Sequence, residues 1–421
     1  MNAMSSLSDK LKSLGVQIGA ENLPRPENNR RETTSELENM YPGCWRETSS
    51  GPVFVLERSY PALYRQGAVS ICPEHPLEVI GKWAGADLLD KIPLEKFVFI
   101  DTETTGLSGG TGTYTFLIGA GKFTKDEFKI KQFFMNDPAE ESAQLAALEN
   151  YLAPARVVVS YNGKAFDLPR LRTRYKSHGW PPPLTEAIHI DLLHLMRRLF
   201  SASLPNCSLG TIEYDLLEFE RASQDIPGWQ VAERYFQYLQ TGEPARLKGI
   251  FYHNEMDVLS MPAVLNLAAS SLDRPLQDSP RPNHDLVSIA RFYHALEDLG
   301  RAEIIYQQAI HSEQSGSPRE LAGIRELSFL YKRKGSLDQA VSLWKQAAEQ
   351  GELYAHVELA KAFEHSYTQL SEAVHWTLSA IDLHQNGKAP PPHPENLAEL
   401  RHRLSRLKRK LKRNSIQTEE E

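Results

Sequence analysis

The feature that most restricts how this chain can fold is an apolar segment that ends in two acids placed one residue apart. Residues 97–103 read FVFIDTE, so four apolar side chains precede Asp101 and Glu103. A short apolar run of this kind predicts a buried strand. Because side chains alternate along a strand, both carboxylates are expected on one face at its end. Two like charges held so close repel each other unless a cation or hydrogen-bond donors offset them.

The neighbouring segments predict a mixed sheet flanked by helices. Period-two alternation predicts strands at 113–123 and 127–135, and VVVSY predicts a fourth strand at 157–161. The predicted helices are 137–152, 166–178, 189–200 and a segment around 250–267. Three meandering strands followed by a helix, a strand and more helices are typical of a mixed-sheet α/β domain, here over residues 92–272.

Both ends of this domain adjoin segments of different character. Residues 1–35 are polar and rich in Pro and Asn, which predicts a flexible N-terminus. Residues 36–91 hold a predicted strand at 52–60 and a short helix at 81–92. We expect this segment to pack on the α/β domain, in a role that its sequence does not define. A Pro-rich linker at 271–283 follows the domain.

Beyond the linker, residues 285–384 are helical in pattern and self-similar. Small residues recur at two equivalent sets of positions, Ala302, Ala340 and Ala373 and then Ala309, Ala347 and Ala380. Both sets are spaced 38 and 33 residues apart. A period near 34 with small residues where two helices meet resembles the tetratricopeptide repeat (TPR). A plain helical bundle is the alternative, and in either case we expect the region to dock a protein partner or the α/β domain.

The last segment, residues 395–421, predicts a basic amphipathic helix and tail. One apolar stripe is formed by Leu397, Leu400, Leu404, Leu407 and Leu411. Residues 401–413 carry eight Lys and Arg and no acid, although the whole chain has a net charge of −7. Two interpretations stay open: a final helix packed on the repeats with a solvated basic face, or a contact surface for nucleic acid or a protein partner.

Composition favours the reducing interior of a cell. No apolar run approaches the roughly 20 residues that a membrane-spanning helix needs, and the N-terminal residues lack the apolar core of a secretion signal. The three cysteines form no CxxC pair, so disulfides and thiolate zinc sites are not expected. We therefore expect a cytoplasmic protein with no membrane partner.

Two further acids complete a candidate metal site. Asp167 follows the predicted strand at 157–161 and begins a helix, and Asp257 lies on a later helix. With Asp101 and Glu103 they supply hard oxygen donors, which Mg²⁺ and Mn²⁺ prefer. Such a set is able to hold two cations, one of which activates water while the other stabilises the leaving oxygen of a phosphodiester.

Three motifs then resemble a known family. The segments DTETTGL (101–107), YNGKAFDLPRL (161–171) and HNEMD (253–257) are similar to the three motifs of the DnaQ-like DEDD 3′–5′ exonucleases, which have an RNase H-like fold. Within that superfamily, residues 36–267 resemble the YprB branch of bacterial proteins, in which helical repeats can follow the nuclease-like domain.

The resemblance implies a two-metal nuclease that acts on DNA or RNA with an accessible 3′ end. The implied ligands of two Mg²⁺ or Mn²⁺ ions are Asp101, Glu103, Asp167 and Asp257. The implied contacts of the terminal nucleotide are Thr104, Gly106 and Leu107. Asn162, in the second motif, is either a further nucleotide contact or part of a turn that ends the strand.

The third motif departs from the family pattern, in which a His five residues or a Tyr four residues before the last Asp acts as the base. Here Tyr252 stands five residues before Asp257 and His253 stands four before it. Residues four apart share a helix face, and an imidazole pKa near 6.5 suits proton transfer at neutral pH. His253 is therefore the predicted base, with Tyr252 as the alternative base or a substrate contact. The exchange also leaves open a catalytically weak or inactive nucleic-acid-binding scaffold that acts through the repeats.

Overall fold

A computed structural model describes residues 36–106, 112–276, 285–386 and 396–419, the last of these with side chains to residue 413. The N-terminus predicted to be flexible, Leu107 and most of the predicted linker lie outside the described residues. The first linker residues, Ser271 to Asp273, instead end a long helix.

Seven strands form one mixed sheet, and two short strands pair separately. In chain order the strands are β1 (Gly43–Thr48), β2 (Gly51–Pro61), β3 (Arg65–Gln66), β4 (Val69–Ser70), β5 (Phe97–Thr104), β6 (Thr115–Phe123), β7 (Glu127–Phe134), β8 (Val157–Ser160) and β9 (Ile188–Asp191). The sheet order is β1-β2-β7-β6-β5-β8-β9, antiparallel from β1 to β5 and parallel from β5 to β9. The predicted meander of three strands followed by a buried fourth is confirmed.

Helices cover this sheet and then form the C-terminal part of the chain. Those of the α/β part are α1 (Glu78–Trp83), α2 (Glu141–Leu152), α3 (Asp167–Ser177), α4 (Leu192–Phe200), α5 (Leu209–Asp215), α6 (Gly228–Thr241) and α7 (Lys248–Asp273). Those that follow are α8 (Leu286–Ala295), α9 (Leu299–Ser312), α10 (Pro318–Lys334), α11 (Leu337–Glu349), α12 (Leu353–His365), α13 (Leu370–Gln385) and α14 (Leu397–Glu419). Among these helices, none combines the length and the apolar composition that a membrane crossing requires.

Alternate residues of β5 face two different apolar layers. Phe97 and Phe99 are buried with side chains of α4 and α7, whereas Val98 and Ile100 are buried with side chains of α2 and α3. The same alternation directs Asp101 towards α7 at the end of the strand. The sheet therefore separates two layers, and the acids of β5 emerge on the α7 side.

Three segments differ from what their sequence patterns indicate. The helix predicted at 81–92 is wrong in its bounds, because α1 spans Glu78–Trp83 and only a short 3-10 turn, Leu89–Lys91, follows it in that segment. Residues 189–191, predicted as the start of a helix, form the end of β9, because they pair with β8 and the helix begins only after Asp191. The segment 36–91 also has a structural role that its sequence did not define. Its strands β1 and β2 extend the sheet beyond β7 and complete one edge.

Two glycines of β6 allow α7 to pack closely on the sheet. A Cβ at Gly119 would lie 2.3 Å from Asn254 Oδ1 and 2.8 Å from Val258 Cγ2. A Cβ at Gly121 would lie 2.8 Å from Val258 Cγ1. Gly119 pairs with Asp101 across β5 and β6. The closest approach of the helix to the sheet therefore occurs beside the first acid of the candidate site.

The C-terminal region is entirely helical in its described parts, as predicted. Its helices follow one another in antiparallel pairs, and α8 packs on α4 of the α/β part. The two recurring sets of alanines lie on the second helix of each pair and are buried. The apolar core continues from the sheet into these helices, and the ring of Trp83 lies 6.2 Å from that of Phe292.

Helix α14 closes this region. Its leucines pack on the preceding helices, with Leu400 and Leu407 buried and Leu397 and Leu404 partly buried. The predicted apolar stripe is thus the inner face of the last helix, and the basic residues occupy the rest of its surface.

We expect Gly119→Ala to destabilise the protein by about 1–3 kcal/mol, because the added methyl group displaces Asn254 and Val258. Thermal unfolding measured by circular dichroism checks this, with an expected fall in Tm of several degrees. Gly228→Ala, at the start of α6 where a Cβ meets nothing within 4 Å, is the matched control and should leave Tm unchanged or slightly higher. Equal Tm values for the two variants would contradict the packing argument.

Candidate active site

Asp101 is held in place by a buried chain of amides. Asn254 of α7 donates its Nδ2 to Asp101 Oδ2 over 2.8 Å. The Oδ1 of Asn254 accepts a hydrogen bond of 2.8 Å from Gln132 Nε2. Because Asn254 is fully buried and Gln132 nearly so, this chain orients the carboxylate of Asp101 at the end of β5.

Asp167 reaches the same place from the other face of the sheet. It is the first residue of α3, and Thr102, between the two acids of β5, donates its hydroxyl to Asp167 Oδ1. Gly163 provides the space for this approach, since a Cβ there would lie 2.4 Å from Ser160 Oγ and 3.1 Å from Asp167 Oδ2. Glycine at position 163 is therefore required by the close packing at this turn.

A buried carboxylate fixes the turn that precedes Asp167. Asn162 has a φ of +65°, a conformation that Asn tolerates better than most residues. Asp191 accepts hydrogen bonds from the backbone N–H groups of Asn162 and Lys164 at 2.9 and 3.0 Å, and it also caps α4 through Leu193. Asn162 thus forms the strand-ending turn that was one of the two interpretations of this residue.

Helix α7 supplies the remaining predicted residues. His253 and Asp257 lie one turn apart, and 3.7 Å separates His253 Nε2 from Asp257 Oδ2. Tyr252 points elsewhere: its hydroxyl accepts a 2.9 Å hydrogen bond from the backbone N–H of Ala222. Of the two candidate bases, His253 is therefore the one beside the last acid.

An arginine that the sequence motifs did not reveal binds Asp257. Arg221, from the loop after α5, donates to Asp257 Oδ1 through Nη2. It also donates to Glu213 from Nε and Nη2 over 2.7 and 2.8 Å, and the side chain of Glu213 is only 2% exposed. Burial works to lower the pKa of Arg221, but the charges of Asp257 and Glu213 raise it above its usual range. Arg221 is thus a permanent cation beside the site.

Asp225 holds His253 from the opposite side. Its Oδ1 lies 2.9 Å from His253 Nδ1. Burial alone would lower the pKa of His253, but the hydrogen bond that its ring donates to Asp225 and the charges of Asp257 and Glu103 raise it to about 9. With these carboxylates around it and no metal ion bound, the imidazole of His253 is therefore protonated at neutral pH. It then acts as a cation beside Glu103 and Asp257.

The four predicted acids are close enough to perturb one another. Burial, followed by the charges of Asp257, Glu103 and Asp167, raises the pKa of Asp101 well above its usual range, while the Asn254 hydrogen bond opposes this. Burial raises the pKa of Glu103 to about 7 and that of Asp167 to about 6. The structure therefore brings the acids of all three motifs together in one electrostatically coupled cluster.

This cluster fits a divalent cation in its chemistry but does not display a formed metal site. In the described parts of the chain, no group of three or more His, Cys, Asp or Glu side chains is arranged to hold a metal ion. Asp257 is engaged by Arg221, whereas Asp101 and Asp167 accept hydrogen bonds from the neutral donors Asn254 and Thr102. Hard oxygen donors whose ionisation is suppressed mainly by burial are nevertheless the donors that Mg²⁺ and Mn²⁺ bind.

The other predicted contacts lie around the strand end. The hydroxyl of Thr104 donates to the carbonyl of Gly106 over 3.0 Å, which shapes the turn after β5. Tyr252 lines a separate cavity of about 330 Å³ together with Tyr41 and Phe251. The structure thus leaves Thr104 and Gly106 beside the acids and places Tyr252 on another side of α7.

The site residues that the sequence motifs did not predict differ in whether a local pattern could have indicated them. Asn254 stands inside HNEMD, three residues before Asp257, so its place on the inner face of α7 could have been read from helical spacing. Arg221 and Asp225 lie in a loop, EFERASQDI, that shows neither strand nor helix periodicity. No local pattern in that loop indicates that it folds back onto α7.

Comparison with known proteins places this geometry in a family. Residues 98–269 match the RNase_H_2 model of the RNase H superfamily. The uncharacterised protein YprB of Bacillus subtilis (strain 168) is 32% identical over 370 residues, which cover 85% of this chain and 86% of that protein. The chain belongs to the YprB family.

The match to the RNase H superfamily model identifies the fold of the α/β part. The α/β part of this YprB relative is RNase H-like, as the sequence motifs implied, and the helical region follows it. A solved structure of the family B DNA polymerase from Pyrobaculum calidifontis aligns with 61% of this chain and 47% of that chain, at 12% identity and a TM-score of 0.34. That similarity is distant and adds nothing to the argument.

The metal-free stability of this YprB relative should fall with rising pH because of Glu103. Its pKa is raised from 4.5 to about 7, so between these values the folded state binds more protons than the unfolded state. Its destabilising effect therefore starts near pH 4.5 and is complete above about pH 7. In EDTA, Glu103→Gln should raise the free energy of unfolding by about 1–2 kcal/mol at pH 8 and have no effect near pH 4.5.

Urea unfolding of both proteins across this pH range provides the measurement. Glu47→Gln, an exposed acid on β1 of the same sheet, is the control and should leave the stability unchanged at every pH. A Glu103→Gln variant that follows the wild-type curve at pH 8 would contradict the electrostatic coupling of the acids.

Asp225→Asn should lower the pKa of His253 by about one unit or more, since the neutral amide removes the charge that holds the imidazolium. An NMR titration of the histidine ring signals in EDTA gives this value directly. His189 on β9 serves as an internal reference, because its ring lies 2.8 Å from the hydroxyl of Ser160 at the end of β8, away from Asp225. Its titration should not change. An unchanged His253 titration would show that Asp225 does not set its protonation.

Proposed function

We propose that this protein is a metal-dependent 3′–5′ exonuclease that hydrolyses phosphodiester bonds of DNA or RNA. The observation that carries the proposal is the coupled cluster of Asp101, Glu103, Asp167 and Asp257 on an RNase H-like sheet. Four carboxylates gathered at one strand end are destabilising by themselves, so their retention in one place is best explained by a cationic ligand. The resemblance of all three motifs to the DEDD exonucleases supports the same reaction.

Asp101, Glu103 and Asp167 would hold Mg²⁺ or Mn²⁺, with Asp257 as a further ligand once it parts from Arg221. When bound, two such ions supply an activated water and a stabilised leaving oxygen. Asn254 keeps one oxygen of Asp101 oriented by donating to the other, and Thr102 does the same for Asp167. These neutral donors orient the ligands without cancelling their charge.

His253 is the proposed proton acceptor, and Asp225 and Arg221 position it. Asp225 binds Nδ1 of the ring, which directs Nε2 towards Asp257. Arg221 donates to Asp257 and lies 3.3 Å from Nδ1 of His253. Because that nitrogen donates its proton to Asp225, Arg221 acts on the ring through the two carboxylates that both residues contact. To accept a proton, the ring must first lose the one that the surrounding carboxylates stabilise.

A cavity beside this cluster offers room for the end of a nucleic-acid strand. It measures about 400 Å³ and is bordered by Tyr214, Arg221, His253 and Asp257. The ring of Tyr214 is 68% exposed, as is suitable for stacking with a base. Arg221 supplies a cation at the inner wall, where a phosphate group would lie.

A second candidate is a scaffold of low or no catalytic activity, and the ion pair between Arg221 and Asp257 favours it. An arginine that replaces a metal ion as the partner of Asp257 would balance the charge without supporting hydrolysis. The two candidates differ in metal binding. The exonuclease requires Mn²⁺ to raise Tm by preferential binding to the folded state, whereas the scaffold requires no such shift.

The helical region is proposed to consist of TPR-like repeats. The pairs α8–α9, α10–α11 and α12–α13 carry the buried alanines at equivalent positions, which supports this assignment. The boundaries proposed for the chain are 92–272 for the nuclease domain, 285–384 for the repeats and 395–421 for the basic end, and residues 36–91 add β1 and β2 to the sheet of the nuclease domain. Docking of a protein partner on the repeats and a cytoplasmic location stay predictions from the sequence.

Asp101→Asn is expected to abolish metal-dependent cleavage while leaving the fold intact, because an amide of the same shape still accepts the Asn254 hydrogen bond. Both proteins would be incubated with 5′-labelled single-stranded DNA or RNA in Mn²⁺, Mg²⁺ or EDTA. The wild type should give a ladder that shortens from the 3′ end, and the variant should be slower by at least about a hundredfold.

The control is Asp126→Asn, an exposed acid in the turn between β6 and β7, which should cleave like the wild type. Cleavage by Asp101→Asn at the wild-type rate would refute the assignment of the site. Absence of cleavage together with no Mn²⁺-dependent rise in Tm would support the scaffold instead.

A further inference from the structure

The basic face of α14 differs in its charge environment from the rest of the helical region. The Lys and Arg side chains described in α8–α13 each face an acid or an aromatic ring. Their charge is therefore balanced locally or partly shielded. On α14 the basic residues outnumber the acids of the described helix and its neighbours.

One buried acid attracts three of these cations. The side chain of Glu364 on α12 is fully buried, and it lies 3.1 Å from Arg403, 2.6 Å from Arg406 and 2.9 Å from Lys410. Burial works to raise the pKa of Glu364, but its hydrogen bonds with Lys410 and Arg406 lower it. A single negative charge thus fixes the orientation of α14 and leaves this side of the helix with an excess of positive charge.

The outer side of α14 carries further cations that are not balanced. Arg401, Lys408, Arg409 and Arg413 are exposed and form no ion pair with any described residue. On a regular helix Arg401 and Lys408 lie within about 20° of each other. The four unpaired cations, from Arg401 to Arg413, extend along about 18 Å of the helix, a length that spans several phosphates of a nucleic-acid strand.

A membrane surface does not fit this helix. An amphipathic helix binds a bilayer by burying its apolar face among the acyl chains. Here the apolar face is already occupied, since Leu400 and Leu407 are buried against the preceding helices. Only the charged side of α14 is available to a partner.

The available side also lacks what a protein partner would require. Protein interfaces depend on aromatic or aliphatic anchors that fill pockets, and the exposed positions of α14 between 401 and 413 hold only Lys, Arg, His and Ser. Contacts with a phosphate backbone need charge and little else. The groove beside α14, about 510 Å³ in volume, is lined by Arg403 and Arg406 and by one acid of the same helix, Glu399.

We propose that the basic face of α14 binds the phosphodiester backbone of nucleic acid, without regard to sequence, and so holds substrate for the RNase H-like domain. The proposal that the bound polyanion is nucleic acid rests on the proposed nuclease function. It assigns the binding of the strand to the C-terminal helix and the hydrolysis to the sheet, so that affinity and cleavage depend on different residues.

The test uses the full chain in EDTA, where metal-dependent cleavage does not occur. Fluorescence anisotropy would measure the Kd of a labelled single-stranded oligonucleotide, and of its duplex, for the wild type and for the combined variant Arg401→Gln, Lys408→Gln and Arg409→Gln. The variant should bind roughly tenfold more weakly or worse, and the slope of log Kd against log salt should fall by about 2 for the single strand. Tm should not change, because these side chains are exposed.

A charge-matched control separates this surface from bulk electrostatics. The combination Arg291→Gln, Arg301→Gln and Arg333→Gln removes the same charge from exposed cations that have acidic partners, and it should leave Kd within about twofold. Equal weakening by both combinations, or none by the first, would overturn the proposal. So would binding of polyglutamate or of phosphatidylserine vesicles that depends on α14 as strongly as oligonucleotide binding does.

The outcome is independent of the nuclease assay. If the wild type cleaves nucleic acid and the α14 variant binds the oligonucleotide as tightly as the wild type, only the inference about α14 is refuted. If the wild type does not cleave nucleic acid but the α14 variant loses oligonucleotide binding, the inference about α14 is supported and the proposed hydrolysis is refuted.

Discussion

The close packing of α7 on the sheet is the constraint on which the rest of this structure depends. Glycine at two positions of β6 lets the helix approach until Asn254 touches the strand that carries Asp101. The same approach places His253 and Asp257 at the end of β5, where the first motif ends. Because a helix has one rigid spacing, a single close contact at Gly119 fixes the position of every functional side chain that α7 contributes.

The chemistry of the site follows from how its negative charge is balanced. Asp101 and Asp167 accept hydrogen bonds from neutral donors, which do not offset their charge, and burial therefore raises their pKa values. Asp257, in contrast, is paired with the cation Arg221. A buried arginine that also binds Glu213 is costly to move, since departure would leave a buried carboxylate unpaired. The cluster thus has two parts. Asp101, Glu103 and Asp167 are available to bind a cation, whereas Asp257 already has a cationic partner in Arg221.

The sequence predicted the part of the fold that periodicity controls, and part of the site. The alternation in β6 and β7 and the apolar run of β5 are local signals, and the structure confirms them. The motifs predicted that Asp101, Glu103, Asp167 and Asp257 lie close together, and they do, because each acid lies at the end of β5 or on a helix that packs beside it. Their role as metal ligands stays a prediction. Residues 189–191 were misassigned because HIDLLHL fits a helix, and only pairing with β8 makes them a strand.

The parts of the site that could not be predicted depend on long-range contacts. Arg221 and Asp225 belong to a loop without periodicity, and their partners on α7 lie more than 25 residues further along the chain. A buried ion pair between such segments leaves no local pattern, because any loop can carry an arginine and an aspartate. The same holds for Asp191, whose role in the turn before Asp167 depends on the register of β8 and β9.

Continuity of the apolar core joins the helical region to the site. Helix α7, which carries His253 and Asp257, runs on to Asp273, and the carbonyl of Leu272 near its end accepts a hydrogen bond from the hydroxyl of Tyr293 on α8. Trp83 and Phe292 extend the contact between the two parts. Separating them would expose buried aromatic rings and cut a core that both share, so the helices after residue 285 are part of the body that positions the site. A strand bound on α14 would therefore be held by the same rigid unit that holds the acids.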